Sequence, residues 1–220
     1  MKKDFLAHKV FIFDFDGTLV DTVESCMVCL KKLINHLHVE YKVDQLCDNL
    51  MGPTLDEIIV RLFPNVTKEQ KIELIGEFLN IYNADPISRT FLYPGIREFL
   101  ELLEENEKVL FVATNKPLEP TIKLIDHYFP ELFCNIMTPD AFKGKKLTKD
   151  EMIIHFMHDY DIKQDEVVMV GDSRHDMEAA HKAGVSFAFA SQGYETEKMA
   201  ICQQADFVIG DYAKLVAELK

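Results

Sequence analysis

Short runs of β-branched and aromatic residues recur along the chain, separated by stretches of helical periodicity. Val10 to Asp14, Val109 to Thr114, Asn135 to Thr138, Val167 to Gly171, Val185 to Ala190 and Phe207 to Ile209 read as strands. Several are apolar on consecutive residues, the pattern of a sheet covered on both faces. Pro117 to Tyr128, Lys149 to Tyr160, Arg174 to Ala183 and Glu195 to Gln203 read as the helices between them. Such alternation predicts an α/β fold, with a Rossmann-like parallel sheet as the core and helices on both faces.

One interval departs from this rhythm. Between Leu19 and about Phe91 the text offers no strand, only the helical patterns Val23 to Leu37, Thr54 to Phe63 and Lys68 to Asn83. Gly52-Pro53, Pro64, Pro86 and Pro94-Gly95 supply the loops around them. The expected organisation is a discontinuous α/β core of residues 1–19 and 92–220, carrying a small all-helical cap of residues 20–91.

A chain of 220 residues suits one core domain with such an insertion. With 48% hydrophobic and 28% charged residues it is neither disordered nor a membrane bundle. A formal net charge of -13 offers no field to attract a nucleic acid polymer or an anionic membrane surface. A small phosphorylated metabolite remains a suitable partner, provided a local cation reverses the sign at one site. Nothing in the pattern specifies an oligomeric state.

Five cysteines in no framework spacing predict reduced thiols and a cytoplasmic location. Cys26 and Cys29 have C-x-x-C spacing, but they sit within a helical run and no second pair completes a zinc site, so they read as small helix hydrophobes. The apolar run Val10-Phe11-Ile12-Phe13 ends at Asp14 with no small-residue cleavage site after it, so no export signal is expected.

Ligands of an open parallel sheet bind beyond the carboxyl ends of its strands. Asp14 and Asp16 follow the first expected strand, Thr114 and Asn115 the second, and Asp172 and Ser173 the fourth, with Asp176 beyond; Lys149 opens the helix after the third. Asp14, Asp16 and Asp172 would gather negative charge that a hard divalent cation relieves, and all-oxygen ligation suits magnesium. A carboxylate nucleophile then divides one slow displacement at phosphorus into two easier ones. Thr114 and Lys149 suit the equatorial oxygens of a transferring phosphoryl group, while Asp16 suits the general acid that protonates the leaving oxygen.

Asp14-Phe15-Asp16-Gly17-Thr18, Thr114, Lys149 and Gly171-Asp172-x-x-x-Asp176, in that order, resemble the four motifs of the haloacid dehalogenase-like superfamily. Leu19-Val20-Asp21-Thr22, Tyr93-Pro94-Gly95 and Val170-Gly171-Asp172-Ser173 are similar to its phosphoglycolate phosphatase-like branch. The resemblance implies a magnesium-dependent phosphatase acting on a small phosphomonoester, such as phosphoglycolate, a nucleotide or a sugar phosphate. It implies Asp14 as nucleophile and metal ligand, and Asp16 as acid/base with its carbonyl on the metal. Asp172 becomes a further metal ligand, Thr114, Asn115 and Lys149 bind phosphate, and Ser173 and Asp176 support them from behind. The family's common Lys-Pro-x-Pro form is absent at Lys149, where the text reads Lys-Asp-Glu-Met-Ile.

Other readings stand beside these. Lys143, Lys145 and Lys146 compete with Lys149 for the phosphate, and Asp176 also suits a helix N-terminus. Arg61, Arg89 and Arg97 are candidate substrate contacts in or near the insert. The eight histidines, His38 among them, show no ligand spacing. The alternative functions are a sugar phosphomutase on the same core and a non-enzymatic small-phosphate-binding protein.

Overall fold

The computed structural model describes residues 2–36, 54–142 and 144–220; the expectations placed on Leu37, His38, Gly52-Pro53 and Lys143 lie outside them. The six expected strands all form: β1 (Val10–Phe13), β4 (Val109–Ala113), β5 (Asn135–Met137), β6 (Val167–Gly171), β7 (Ser186–Ala190) and β8 (Phe207–Ile209). They make one parallel sheet in the order β5-β4-β1-β6-β7-β8. The chain builds outward from β1 to one side, then returns to build the other side from β6. The crevice where the order reverses therefore opens beside the end of β1.

Alternate side chains divide the core between the two faces. Phe11, Phe13, Leu110, Val112, Val168 and Val170 pack on one face against α5 (Ile96–Glu105), α6 (Leu118–Tyr128) and α10 (Tyr212–Leu219). Ile12, Phe111, Ala113, Met169, Phe187 and Phe189 pack on the other against α7 (Lys149–Asp159), α8 (Arg174–Ala183) and α9 (Lys198–Cys202). This is why the central strands read as unbroken apolar runs: neither face meets water. A short helix, α1 (Lys2–Phe5), adds Phe5 to the first cluster.

The insert has a core of its own. In α2 (Val23–His36), α3 (Leu55–Leu62) and α4 (Lys68–Ala84), Leu30, Leu33, Ile59, Leu62, Leu74 and Phe78 form a third cluster, joined by Cys26 and Cys29. Burial pushes the Cys26 thiol up to about 12, consistent with a neutral helix hydrophobe. Thr54 with Glu57 and Thr67 with Gln70 close capping boxes that start α3 and α4.

Two expectations need correction. The interval from Leu19 to Phe91 does contain strand: β2 (Val20–Asp21) pairs antiparallel with β3 (Phe91–Leu92), Val20 opposite Leu92. Two residues are too few to show periodicity. The expected helix from Glu195 to Gln203 is limited to α9, because Glu195 accepts the N–H groups of Glu197 and Arg174 and so holds residues 195–197 in a turn.

Candidate active site

Register alone assembles the first part of the site. Phe13 lies level with Val112 of β4 and Val170 of β6, so the residues that follow these three strands emerge side by side. Asp14 N–H donates to the Val170 carbonyl at 2.8 Å, extending the ladder by one residue. Beyond it the chain turns at Gly17, whose φ of +86° favours glycine. A Cβ there would stand 2.4 Å from Asp172 Oδ2, so the bare backbone is what lets the two loops meet.

Asp14, Asp172 and Asp176 are all buried, and one carboxylate oxygen from each lies within 4.8 Å of the others. Lys149 Nζ is 2.8 Å from Asp14 Oδ1 and 2.5 Å from Asp176 Oδ1. Asp172 accepts the Tyr194 N–H at 2.6 Å and the Thr18 hydroxyl at 3.3 Å. Burial pushes the Asp14 carboxyl up to about 7, with Lys149 pulling against it and Asp176 adding to it. Burial, then Asp176 and Asp14, raise Asp172 well above the usual carboxylate range. Burial opposes the charge of Lys149, yet Asp14 and Asp176 together hold its ammonium above its ordinary value.

One buried ammonium among three buried carboxylates leaves negative charge in excess, and paired burial of that kind is costly. The donor set is entirely oxygen and anionic, which fits a hard divalent cation of the magnesium type. Asp14 and Asp172, two of the residues expected to hold metal, bring their carboxylates together here, and Asp176, expected behind them, adds its own. Asp16, expected on the metal through its backbone carbonyl, turns its carboxylate elsewhere.

Asp16 accepts the Thr22 hydroxyl at 2.9 Å, and both its oxygens lie 3.2 Å from Lys116 Nζ. Lys116 also donates to the Tyr82 hydroxyl at 2.9 Å, with its nitrogen 4.4 Å from the centre of that ring. Burial works against the Lys116 charge, but Asp16 and Tyr82 outweigh it and raise the ammonium above its ordinary value. Tyr82 belongs to α4, so the contact joins the insert to the sheet.

Asp14, Asp16, Thr114, Asn115, Lys116 and Lys149 line one cavity of about 80 Å³, and Leu55, Phe78 and Tyr82 of the insert also face it. The buried Thr114 hydroxyl accepts the Lys116 N–H at 3.2 Å. Ser173 and Asp176 form the capping box of α8: Asp176 Oδ2 accepts the Ser173 N–H at 3.0 Å and its hydroxyl at 2.6 Å. Asp176 thus serves the helix terminus with one oxygen and Lys149 with the other.

Four of the competing cations are engaged elsewhere. Lys145 pairs with Glu151 and Lys146 with Asp56. Arg89 reaches Glu24 and Asp85, while Arg97 reaches Glu101 and the Tyr128 carbonyl. Sequence reasoning gave no role to Lys116, Thr22, Tyr82 or Tyr194. Lys116 was findable, since it lies two residues past Thr114 at a strand end. Tyr194 follows the end of β7, which the motif pattern had left out. Tyr82 reads only as one more apolar position of a helix.

The family model described as haloacid dehalogenase-like hydrolase matches residues 11–190. The chain belongs to that family. It is therefore an enzyme of the hydrolase class, and the non-enzymatic alternative falls. Among curated proteins it is similar to a phosphoglycolate phosphatase of Mannheimia succiniciproducens, 28% identical over 94% of this chain and 96% of the other. Among solved structures it shares the fold of a haloacid dehalogenase-like hydrolase from Streptococcus pneumoniae, with TM-score 0.83, 20% identity, and 97% and 99% of the two chains covered. A β-phosphoglucomutase from Clostridium difficile has the same fold, with TM-score 0.75, 18% identity, and 94% and 93% covered. Fold therefore does not choose between hydrolase and mutase chemistry.

Proposed function

We propose that this hydrolase is a magnesium-dependent phosphatase that cleaves a small phosphomonoester through an aspartyl-phosphate on Asp14. The observation that carries the reading is the buried group of Asp14, Asp172 and Asp176 around Lys149, beside a cavity into which Asp14 opens. The division of labour follows the expected organisation, with residues 1–19 and 92–220 as catalytic core and 20–91 as the cap over it. The cavity is walled by the insert as well as the core, which suits a small phosphomonoester of the phosphoglycolate type. The four cysteines among the described residues are all free thiols, in keeping with a cytoplasmic enzyme.

Asp14, Asp172 and Asp176, with the Asp16 carbonyl, are the groups that would hold Mg2+, which supplies charge neutralisation for an incoming phosphate dianion. Asp14 attacks phosphorus, and the bond to the leaving oxygen breaks as that oxygen takes a proton from Asp16. Lys149, Thr114 and Asn115 hold the equatorial oxygens, where charge develops. A water then attacks the phosphoryl group and gives its proton to Asp16. The bond from phosphorus to Asp14 breaks with its electron pair returning to the carboxylate, and inorganic phosphate leaves.

The test is release of phosphate from p-nitrophenyl phosphate with magnesium, and from a panel of small phosphomonoesters. Turnover should vanish in Asp14→Asn; a folded Asp14→Asn protein that still turns over would remove Asp14 as nucleophile. Incubation with a hexose 1-phosphate separates the mutase alternative, which returns the phosphoryl group to the sugar.

A further inference from the structure

Lys116 is the least conventional member of the site. Its side chain is only 5% exposed, it sits on the loop after β4, and it touches neither Asp14 nor the Asp14, Asp172 and Asp176 group by any ion pair. Among the described residues the polar contacts of its ammonium go to two groups. Both oxygens of Asp16 lie at 3.2 Å, and the Tyr82 hydroxyl lies at 2.9 Å with the ring beneath the ammonium. Tyr82 is itself 2% exposed and packs against Phe78 at 5.9 Å between ring centres, inside the insert's own core. The ammonium is thus fixed from below by an anchored aromatic residue.

Taking Asp14 and Asp16 in the roles given above, we infer that Lys116 is a positioning residue: held by Tyr82, it fixes the Asp16 carboxylate in the orientation from which it accepts the proton of the attacking water. Two physical points carry this. A carboxylate on a two-bond stem at a loop has rotamer freedom, and a base must be held in reach of the proton it takes. Here Thr22 fixes one oxygen while Lys116 spans both, so side-chain rotation costs a part-buried ion pair. The second point is one of place: Thr22 and Lys116 hold the Asp16 carboxylate at the cavity that Asp14 also lines, apart from the Asp14, Asp172 and Asp176 group. With a leaving group that needs no proton, the contribution of Lys116 falls on breakdown of the phosphoenzyme.

The consequence can be read without any alkyl leaving group. With p-nitrophenyl phosphate the departing phenolate needs no proton, so formation of the phosphoenzyme is insensitive to Asp16, while its hydrolysis is not. Lys116→Met should show a burst of p-nitrophenol close to the enzyme concentration, then a steady rate lower by roughly 10- to 100-fold. Acid quench should trap a larger phosphorylated fraction than in wild type. Lys116→Arg, which keeps the charge, should recover part of the steady rate, and a residue that merely shaped the pocket would raise KM with no burst. Wild-type partition between free and phosphorylated enzyme in Lys116→Met overturns the inference. Should Lys116→Met fail to fold by circular dichroism, Tyr82→Phe decides. That variant keeps the ring and loses only the hydroxyl, so a raised phosphorylated fraction supports the inference and an unchanged one overturns it. Asp14→Asn run in parallel separates the two levels. If wild type forms no phosphoenzyme, the proposed function falls and this inference with it. If wild type does and the Lys116 and Tyr82 variants do not accumulate it, only the inference falls.

Discussion

Removing the metal should convert the catalytic group into a source of instability that one substitution relieves. The Asp14 carboxyl, displaced by burial from 3.8 to about 7, takes up a proton more readily in the folded protein than in the unfolded chain. The sign follows directly: its stabilising share is complete below pH 3.8 and is lost as pH rises through about 7. At about 1.36 kcal/mol per tenfold change, ionising Asp14 without metal costs the fold about 4 kcal/mol by pH 8, and Asp172 acts in the same direction. Asp14→Asn removes this cost but leaves Lys149 with Asp176 alone, so a net gain of about 2 kcal/mol is expected. For a chain of this size that is roughly 5 °C in Tm. The assay is thermal unfolding in EDTA at pH 5 and pH 8, for wild type and Asp14→Asn, repeated with magnesium. Wild type should melt lower at pH 8 than at pH 5, and Asp14→Asn should melt above it at pH 8. Magnesium at about a hundred times its Kd should restore about 2.7 kcal/mol to wild type and much less to the variant. Equal melting of the two proteins at pH 8 in EDTA, or equal rescue by magnesium, would refute the account of a charge-strained metal site.

Two further outcomes follow from the same geometry. Gly17→Ala places a methyl group 2.4 Å from the Asp172 carboxylate at a φ of +86°, so magnesium affinity, measured by titration of the thermal shift, should weaken by about tenfold or more. An unchanged affinity would mean that Asp172 is not a ligand. Lys149→Met leaves Asp14 and Asp176 without their shared ammonium and should lower metal-free stability by about 3 kcal/mol, checked by urea unfolding at pH 8.

The sheet was legible because its strands are buried on both sides: Val10-Phe11-Ile12-Phe13 and Val167-Val168-Met169-Val170 cannot be solvent-exposed segments. Asp14 and Asp172 were legible because polar residues that end such runs have few purely structural reasons to be there. Legibility stopped where position depends on tertiary contact. Lys116 lies among ordinary loop residues until α4 folds across it and Tyr82 arrives from 34 residues away in sequence. The place of Asp176 was hidden for a related reason: spacing gives Asp16 and Asp176 equal access to the strand ends, and only side-chain direction sets the Asp176 carboxylate beside Asp14 and Asp172. Asp16 turns towards Thr22 and Lys116, Asp176 towards Lys149.

The two-residue pairing of β2 with β3 bears on how the chain finds its fold. β1 and β4 are adjacent in the sheet, yet Phe13 and Val109 are ninety-six residues apart, a separation that slows the search for the native pairing. Once Val20 meets Leu92, the open path falls to seven residues from Phe13 to Val20 and seventeen from Leu92 to Val109. A fourfold shorter loop lowers the entropic cost of closure by about 1.2 kcal/mol. The small antiparallel clasp thus acts as a kinetic shortcut: α2, α3 and α4 can assemble as a side branch while the central strands pair as if the insert were hardly there.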